Sequence, residues 1–193
     1  ISLILQIFTT YAHYAKYLKY LALALLSYVA VALAVGLDWS TVLYHTFVPA
    51  LTFSKEQIFL VCGVLGTTIS PYLFFWQTSQ EVEEKILKGE TTVEARQEQM
   101  NGHSLRRMRT DVWSGMAFSN LITFFIFAAV AGTLYANGIT NIATADQAAL
   151  ALKPFGDFAF LLFALGIVGT GLLAVPVLAG STAYAIAESF GWN

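Results

Sequence analysis

The chain has 193 residues, of which 57% are hydrophobic and 11% charged, with a mean hydropathy of +0.65. A soluble domain carries about a quarter charged residues, so this composition argues against one and for an integral membrane protein. The net charge of −2 says nothing about partners, and a single cysteine, Cys62, excludes a disulfide framework; inside its apolar run, Cys62 is expected to be a small buried hydrophobe.

Five hydrophobic segments follow in chain order. Residues 1–14 open directly on an apolar run with no basic region before it, unlike a signal peptide. They are too short to span and are expected to be the end of a truncated helix, which makes the chain a fragment of a longer membrane protein. Residues 17–37 are rich in Leu, Ala and Val. Residues 57–80, Q-I-F-L-V-C-G-V-L-G-T-T-I-S-P-Y-L-F-F-W-Q-T-S-Q, hold no charge and are long enough to cross a bilayer. Residues 112–135 form the fourth segment. Residues 158–187 form the fifth, which Gly169, Gly171 and Pro176 are expected to interrupt and where small residues allow close helix contact.

The connectors set the orientation. Lys16, Lys19, Lys85, Lys88, Arg96, Arg106, Arg107 and Arg109 fall on one side of this layout, against Lys55 and Lys153 on the other. Basic residues concentrate in cytoplasmic loops, so residues 15–16 and 81–111 are expected inside the cell, and a bacterial inner membrane is the expected location. Within 81–111, V-E-A-R-Q-E-Q-M reads as a short amphipathic helix. Glu98 and His103 lack the H-E-x-x-H spacing of a zinc site. In the outer connector, A-D-Q-A-A-L-A-L-K-P reads as a short helix ended before Pro154.

The third segment carries the strongest candidate site. Pro71 has no N–H, so the Thr67 carbonyl, four residues back, loses its helical donor. In lipid, such an acceptor is tolerated where it faces protein, water or an ion. The Thr67 carbonyl is therefore the leading ligand, the Ser70 hydroxyl a second and the Thr68 hydroxyl a weaker one; a proline kink re-satisfied by those hydroxyls is the alternative. Broken helices near mid-bilayer are how many secondary transporters bind ions. Asn120, an amide deep in an apolar helix, either glues helices together or lines the path. Gln77, two turns past the break, lines an inner vestibule or lies at the interface. The segments 57–80, 112–135 and 158–187 hold no Asp, Glu, Lys, Arg or His, so no proton relay is visible in them.

These stretches resemble the Nramp family of divalent metal transporters. G-T-T-I-S-P-Y-L-F-F-W-Q-T-S is similar to the family's sixth helix, whose hallmark is Met-Pro-His after a Gly-Ala pair. R-T-D-V-W-S-G-M-A-F-S-N-L-I resembles the seventh helix. D-Q-A-A-L-A-L-K-P-F-G-D-F-A-F-L-L-F-A-L-G-I and A-G-S-T-A-Y-A-I-A-E-S-F resemble the start and end of the eighth. The resemblance covers nearly the whole chain, which corresponds to the end of helix four through helix eight. It implies an all-α LeuT-type fold of two inverted repeats, with the metal between broken helices one and six.

By resemblance, Thr67 stands where the family offers a backbone carbonyl to the metal. Ser70 stands at the metal-binding Met, Tyr72 at a His, Gln77 at a second His and Asn120 at an Asn of helix seven. The departures change the chemistry. A thioether suits transition metals and a hydroxyl suits harder ions, so Ser70 implies weaker discrimination against Mg²⁺ and Ca²⁺. Tyr72 cannot shuttle protons near neutral pH as His does. The pattern is similar to Nramp-related magnesium transporters, which also lack the Met.

The expected function is thus secondary transport of divalent metal ions of the Mn, Fe and Mg class. Membrane lipid and the metal are the expected partners, with no cofactor, no nucleic acid and a monomeric state. A LeuT-type carrier of amino acids and a non-transporting receptor on the same scaffold remain as alternatives. An enzyme is the weakest reading, since the spans hold no nucleophile–base pair.

Overall fold

The computed structural model describes residues 18, 20–50, 52–68, 71–98 and 102–191, with the side chains of 71–73 and 98 excepted. Every described element is helical: α1 (Leu26–Ala34), α2 (Trp39–Phe47), α3 (Lys55–Thr68), α4 (Pro71–Leu87), α5 (Val93–Glu98), α6 (Gly102–Thr133), α7 (Ala145–Ala151) and α8 (Asp157–Phe190). A 3-10 turn, Ala22–Leu25, leads into α1. The expected truncated helix at 1–14 lies outside the described residues.

Local chemistry explains where these helices start and stop. Asp38 caps α2, accepting from the backbone N–H groups of Ser40 at 3.1 Å and Thr41 at 3.4 Å and from the Thr41 hydroxyl at 2.6 Å. Ser54 caps α3 by accepting from the Gln57 N–H at 3.2 Å. The Gln57 side chain reaches back past the cap to accept from the N–H groups of Thr52 and Phe53 at 2.8 and 3.0 Å, tying the incoming chain to the first turn. At the end of α4, Gly89 takes φ +92°. Its N–H reaches the Ile86 carbonyl while that of Glu90 reaches Lys85, the paired bonds of a Schellman stop.

Among the described residues two helical stretches are long and apolar enough to cross a membrane, Gly102–Asn137 and Asp157–Phe190. The pair Ala22–Ala34 and Trp39–Phe47 passes the same test jointly but bends by 113° between its halves. Three expectations need correcting. Residues 39–47 are α2, not plain connector, because Asp38 supplies the cap that starts them. The connector 81–111 is largely helical: α4 runs to Leu87 and α6 already begins at Gly102, since no Pro or Gly interrupts R-R-M-R-T-D. Finally, α8 is one helix from 157 to 190, with Pro176 inside it and buried; a proline removes a single ladder bond, and the neighbouring turns keep theirs.

The chain divides into two compact units. The first comprises Ile1–Ala50 and Gly115–Ala174. Its core joins Val31 and Ala32 of α1 to Ile122 and Ala129 of α6 and Phe163 of α8, with Leu134 and Leu152 from the connecting turns. Tyr28 meets Phe163 edge-on at 5.2 Å, and its hydroxyl lies 3.4 Å from that of Thr170. Gly166 and Gly169 let α8 approach: a Cβ at Gly166 would lie 2.6 Å from the Tyr28 ring, and one at Gly169 2.7 Å from the Ala24 Cβ. Gly171, expected to share this role, faces nothing within 4 Å. The second unit comprises Leu51–Ser114 and Val175–Asn193, and holds α3, α4, α5, the start of α6 and the end of α8.

Candidate metal site

The candidate site is built around the junction of α3 and α4. Thr67 and Thr68 are the last described residues of α3, and Pro71 opens α4. Ile69 and Ser70, and with them the expected break itself and the second metal ligand, lie outside the described residues. Whatever path those two residues take, Pro71 brings no N–H, so the Thr67 carbonyl cannot receive the bond that residue i+4 would normally donate.

The hydroxyls beside it are committed within α3. Thr67 donates to the carbonyls of Gly63 and Val64 at 3.1 and 2.9 Å, and Thr68 donates to Val64 at 2.7 Å. A hydroxyl has one hydrogen and two lone pairs. With the hydrogens turned back into the helix, both oxygens present lone pairs outward, and both residues are exposed. The described end of α3 thus offers a cluster of neutral acceptors, which suits a hard cation bound by neutral oxygens and water.

The remaining candidates are more scattered. Tyr72 lies in the first turn of α4, with its side chain outside the description. Gln77 is exposed on α4. Asn120 is exposed on α6 and belongs to the other compact unit. Among the described residues no group of three His, Cys, Asp or Glu side chains is placed to hold a metal. Cys62 is exposed on α3, contrary to the expectation that it is buried; an apolar residue on a membrane helix can face lipid at no cost, so hydrophobicity alone does not put it inside. A cavity of about 290 Å³ between the α4 residue Phe75 and α8 is lined by Ala185, Ile186 and Phe190 together with the hydroxyl residues Ser181, Thr182 and Ser189; its surface is mostly apolar and no charged side chain lines it.

One polar node escaped the sequence reading. The Gln80 amide Nε2 donates to the Tyr184 hydroxyl at 3.0 Å, and that hydroxyl donates to Glu83 Oε1 at 2.7 Å. Gln80 is 9% exposed, and its Oε1 is buried with no hydrogen-bond partner. Polar residues three apart on α4 were visible, but the tyrosine that joins them lies 104 residues further on.

Comparison with known proteins places these features. The chain is 30% identical over 148 residues to the divalent metal cation transporter MntH of Caldanaerobacter subterraneus, covering 75% of this chain and 33% of that protein. It is 31% identical over 158 residues to MntH of Klebsiella pneumoniae, covering 79% and 35%, and 28% identical over 125 residues to MntH of Yersinia enterocolitica, covering 64% and 28%. The chain therefore spans about a third of the length of the curated relatives it matches. No solved structure matches it with significance. The model of the Nramp family, described as natural resistance-associated macrophage protein-like, matches residues 1–193 from end to end. A chain whose described elements are all helical, with two among them long and apolar enough to cross a membrane, and which the family model matches over its whole length, is an integral membrane protein and belongs to the Nramp family.

Proposed function

We propose that the chain forms part of a secondary transporter of divalent metal ions, with the cation held by oxygens where α3 gives way to α4. The observation that carries this reading is the acceptor cluster at Thr67 and Thr68: a carbonyl that Pro71 cannot satisfy, beside two hydroxyls whose hydrogens are already spent. By their resemblance to family positions, Ser70, Tyr72, Gln77 and Asn120 are the further residues assigned to handling the ion. The scaffold is of the LeuT type, in a bacterial inner membrane, with residues 81–111 in the cytoplasm; the metal is the cargo, the working unit is a monomer, and no enzymatic step is involved. The relatives named as divalent metal cation transporters support the substrate class.

The absence of a thioether at Ser70 points to hard cations. A hydroxyl and a carbonyl leave Mg²⁺ most of its water, which that ion demands, whereas Cd²⁺ gains little from them. Metal uptake into proteoliposomes containing the full-length protein tests this. Mg²⁺ and Mn²⁺ should be carried in preference to Cd²⁺, and Ser70→Met should raise Cd²⁺ affinity. Strong Cd²⁺ preference without Mg²⁺ flux overturns the selectivity argument, and an inert Ser70→Met removes Ser70 from the metal.

A further inference from the structure

We infer that Gln80 and Glu83, held in place by Tyr184, form a second cation-binding station on α4, on the inner side of the α3–α4 junction. The inference rests on the transport reading above and extends it to residues that reading does not use.

Three observations converge on this node. The first is the orphan acceptor. Gln80 Oε1 is buried and without a partner, while its own Nε2 is engaged. The orientation of the amide follows from the chain of donors. A carboxylate only accepts, so the Tyr184 hydroxyl gives its hydrogen to Glu83 and must itself accept from Gln80. That fixes Nε2 toward Tyr184 and turns Oε1 away from it. A buried acceptor left unmade is costly, and its usual explanation is an ion or a water at the site.

The second observation is charge. Glu83 is half-buried, and no basic side chain among the described residues forms an ion pair with it. The nearby pair, Lys88 with Glu84 at 3.5 Å, is exposed and belongs to a different carboxylate. A partly buried carboxylate three residues from a buried amide oxygen presents two acceptors for which the described residues supply no ion pair, an arrangement that a positive ligand relieves.

The third is position. Gln80 and Glu83 are three residues apart on one helix, so their side chains are neighbours. By helical rise they lie about 13 and 18 Å along α4 from Pro71. A cation released from the junction and moving along α4 meets Gln77 first and then this node. One carboxylate, one amide oxygen and the ion's remaining waters match the chemistry of a weakly held, largely hydrated divalent cation, which is what a station on an exit path requires. Tyr184 is a positioning residue here: its hydroxyl orients both ligands from α8 and bonds through its hydrogen to Glu83, not to the ion.

The test uses the full-length protein and two independent readouts. Tb³⁺, a hard oxygen-seeking ion whose emission is sensitised by nearby tyrosine, is titrated into purified protein, and Mn²⁺ uptake is measured in proteoliposomes. Glu83→Gln should weaken the tyrosine-sensitised Tb³⁺ titration, Gln80→Leu should do the same, and Glu83→Asp should restore most of it. Tyr184→Phe should lower Tb³⁺ affinity by about tenfold, the effect typical of losing a residue that orients a ligand, and should also dim the sensitised emission. In uptake, the same variants should lower the maximal rate several-fold and leave the KM for outer Mn²⁺ unchanged. Titrations of Glu83→Gln and Gln80→Leu that superimpose on wild type overturn the inference, even where wild type carries Mn²⁺, and then the transport reading stands alone. The converse result, altered Tb³⁺ binding in a protein that carries no metal, keeps the station and removes the transport reading. Should Glu83→Gln fail to fold, Gln80→Asn and Glu83→Asp, which keep the amide and the charge but shift them by one methylene, must change Tb³⁺ affinity, or the inference is lost.

Discussion

The two compact units bury different kinds of residue. In the first, the buried set is Tyr28, Val31, Ala32, Leu37, Ile122, Leu134, Leu152, Phe163 and several alanines, with Ser27 and Thr133 as its polar members. Thr133 returns its hydroxyl to the Ala129 carbonyl of its own helix, so that hydroxyl costs little, whereas the Ser27 hydroxyl is buried without a partner. In the second, the buried residues among those described are Gln80, Glu90, Pro176 and Ser181. An amide and a carboxylate, each with an unpartnered oxygen, take the place of an apolar core. The first unit is held mainly by packing, with one unpartnered buried hydroxyl at Ser27; the second has little apolar core among the described residues and carries an unpartnered amide oxygen and an unpartnered carboxylate oxygen in the half of the chain that contains the α3–α4 junction. Unsatisfied buried groups of this kind are where local strain and local opening concentrate.

The sharpest way to break this contrast is to damage the packed unit. Phe163→Ala removes a ring that is 5% exposed and stacked edge-on against Tyr28. A loss of about 3 kcal/mol in chemical-denaturant unfolding in detergent is expected, from lost contacts and the cavity left behind. A loss below a few tenths of that would mean the first unit is not a packing-held scaffold. Next comes Gly166→Leu. The first added carbon alone would meet the Tyr28 ring at 2.6 Å and the Ser27 hydroxyl at 2.8 Å. Overpacking of this kind costs about 1–3 kcal/mol. Gly171→Ala, with nothing within 4 Å, is the control and should be close to neutral.

Much of this architecture was readable from local pattern. Residues 158–187 stand inside α8 and 112–135 nearly coincide with the apolar part of α6, because a long uncharged run has few ways to satisfy its backbone except as a helix. What hydropathy misses is helix that continues past the apolar run. It marks contact with lipid, not the hydrogen-bond ladder, so the ten residues from Gly102 to Asp111 read as loop. The opposite failure hid α2, whose Ser, Thr and Val residues look like connector until Asp38 is recognised as its cap. At the site, the loss of the Thr67 partner follows from Pro71 alone and needs no coordinates. The Gln80–Tyr184–Glu83 node does not, because nothing local to α4 identifies a tyrosine on α8 as the group between them. The Gly166 contact was hidden for the same reason, while Gly171, equally small, faces open space: a glycine in the sequence does not say which side the neighbour is on.

A smaller effect sharpens the other half of the comparison. Gln80→Leu replaces a buried amide whose oxygen has no partner by a side chain of similar length without polar atoms. The Tyr184 hydroxyl keeps its bond to Glu83. Removing an orphaned acceptor is close to neutral or mildly stabilising, so a change of about 0–1 kcal/mol toward higher stability is expected in the same denaturant assay. A substitution that raises stability in the second unit while one in the first lowers it would establish that the two units are built to different ends. A loss of more than about 1 kcal/mol would instead give Gln80 a structural role in joining α4 to α8.

The smallest effect belongs to Asp38, at the exposed corner between α1 and α2. The Thr41 hydroxyl, then the N–H groups of Thr41 and Ser40, bond to its carboxylate and hold its pKa below the usual aspartate value of 3.8. The group is therefore more acidic folded than unfolded, and the cap contributes fully above the unfolded pKa, about 3.9. That contribution fades as pH falls from there through the folded pKa, since the protonated acid is a weaker acceptor for the two N–H groups. Amide exchange at Ser40 and Thr41 should accordingly lose protection as pH is lowered below about 4, relative to the acid-independent background. Asp38→Asn keeps an oxygen at the cap and cannot titrate, so it should abolish that pH dependence and leave α2 formed. Exchange at α2 that stays pH-dependent in Asp38→Asn would transfer the effect to another group and remove Asp38 as the residue that sets the turn.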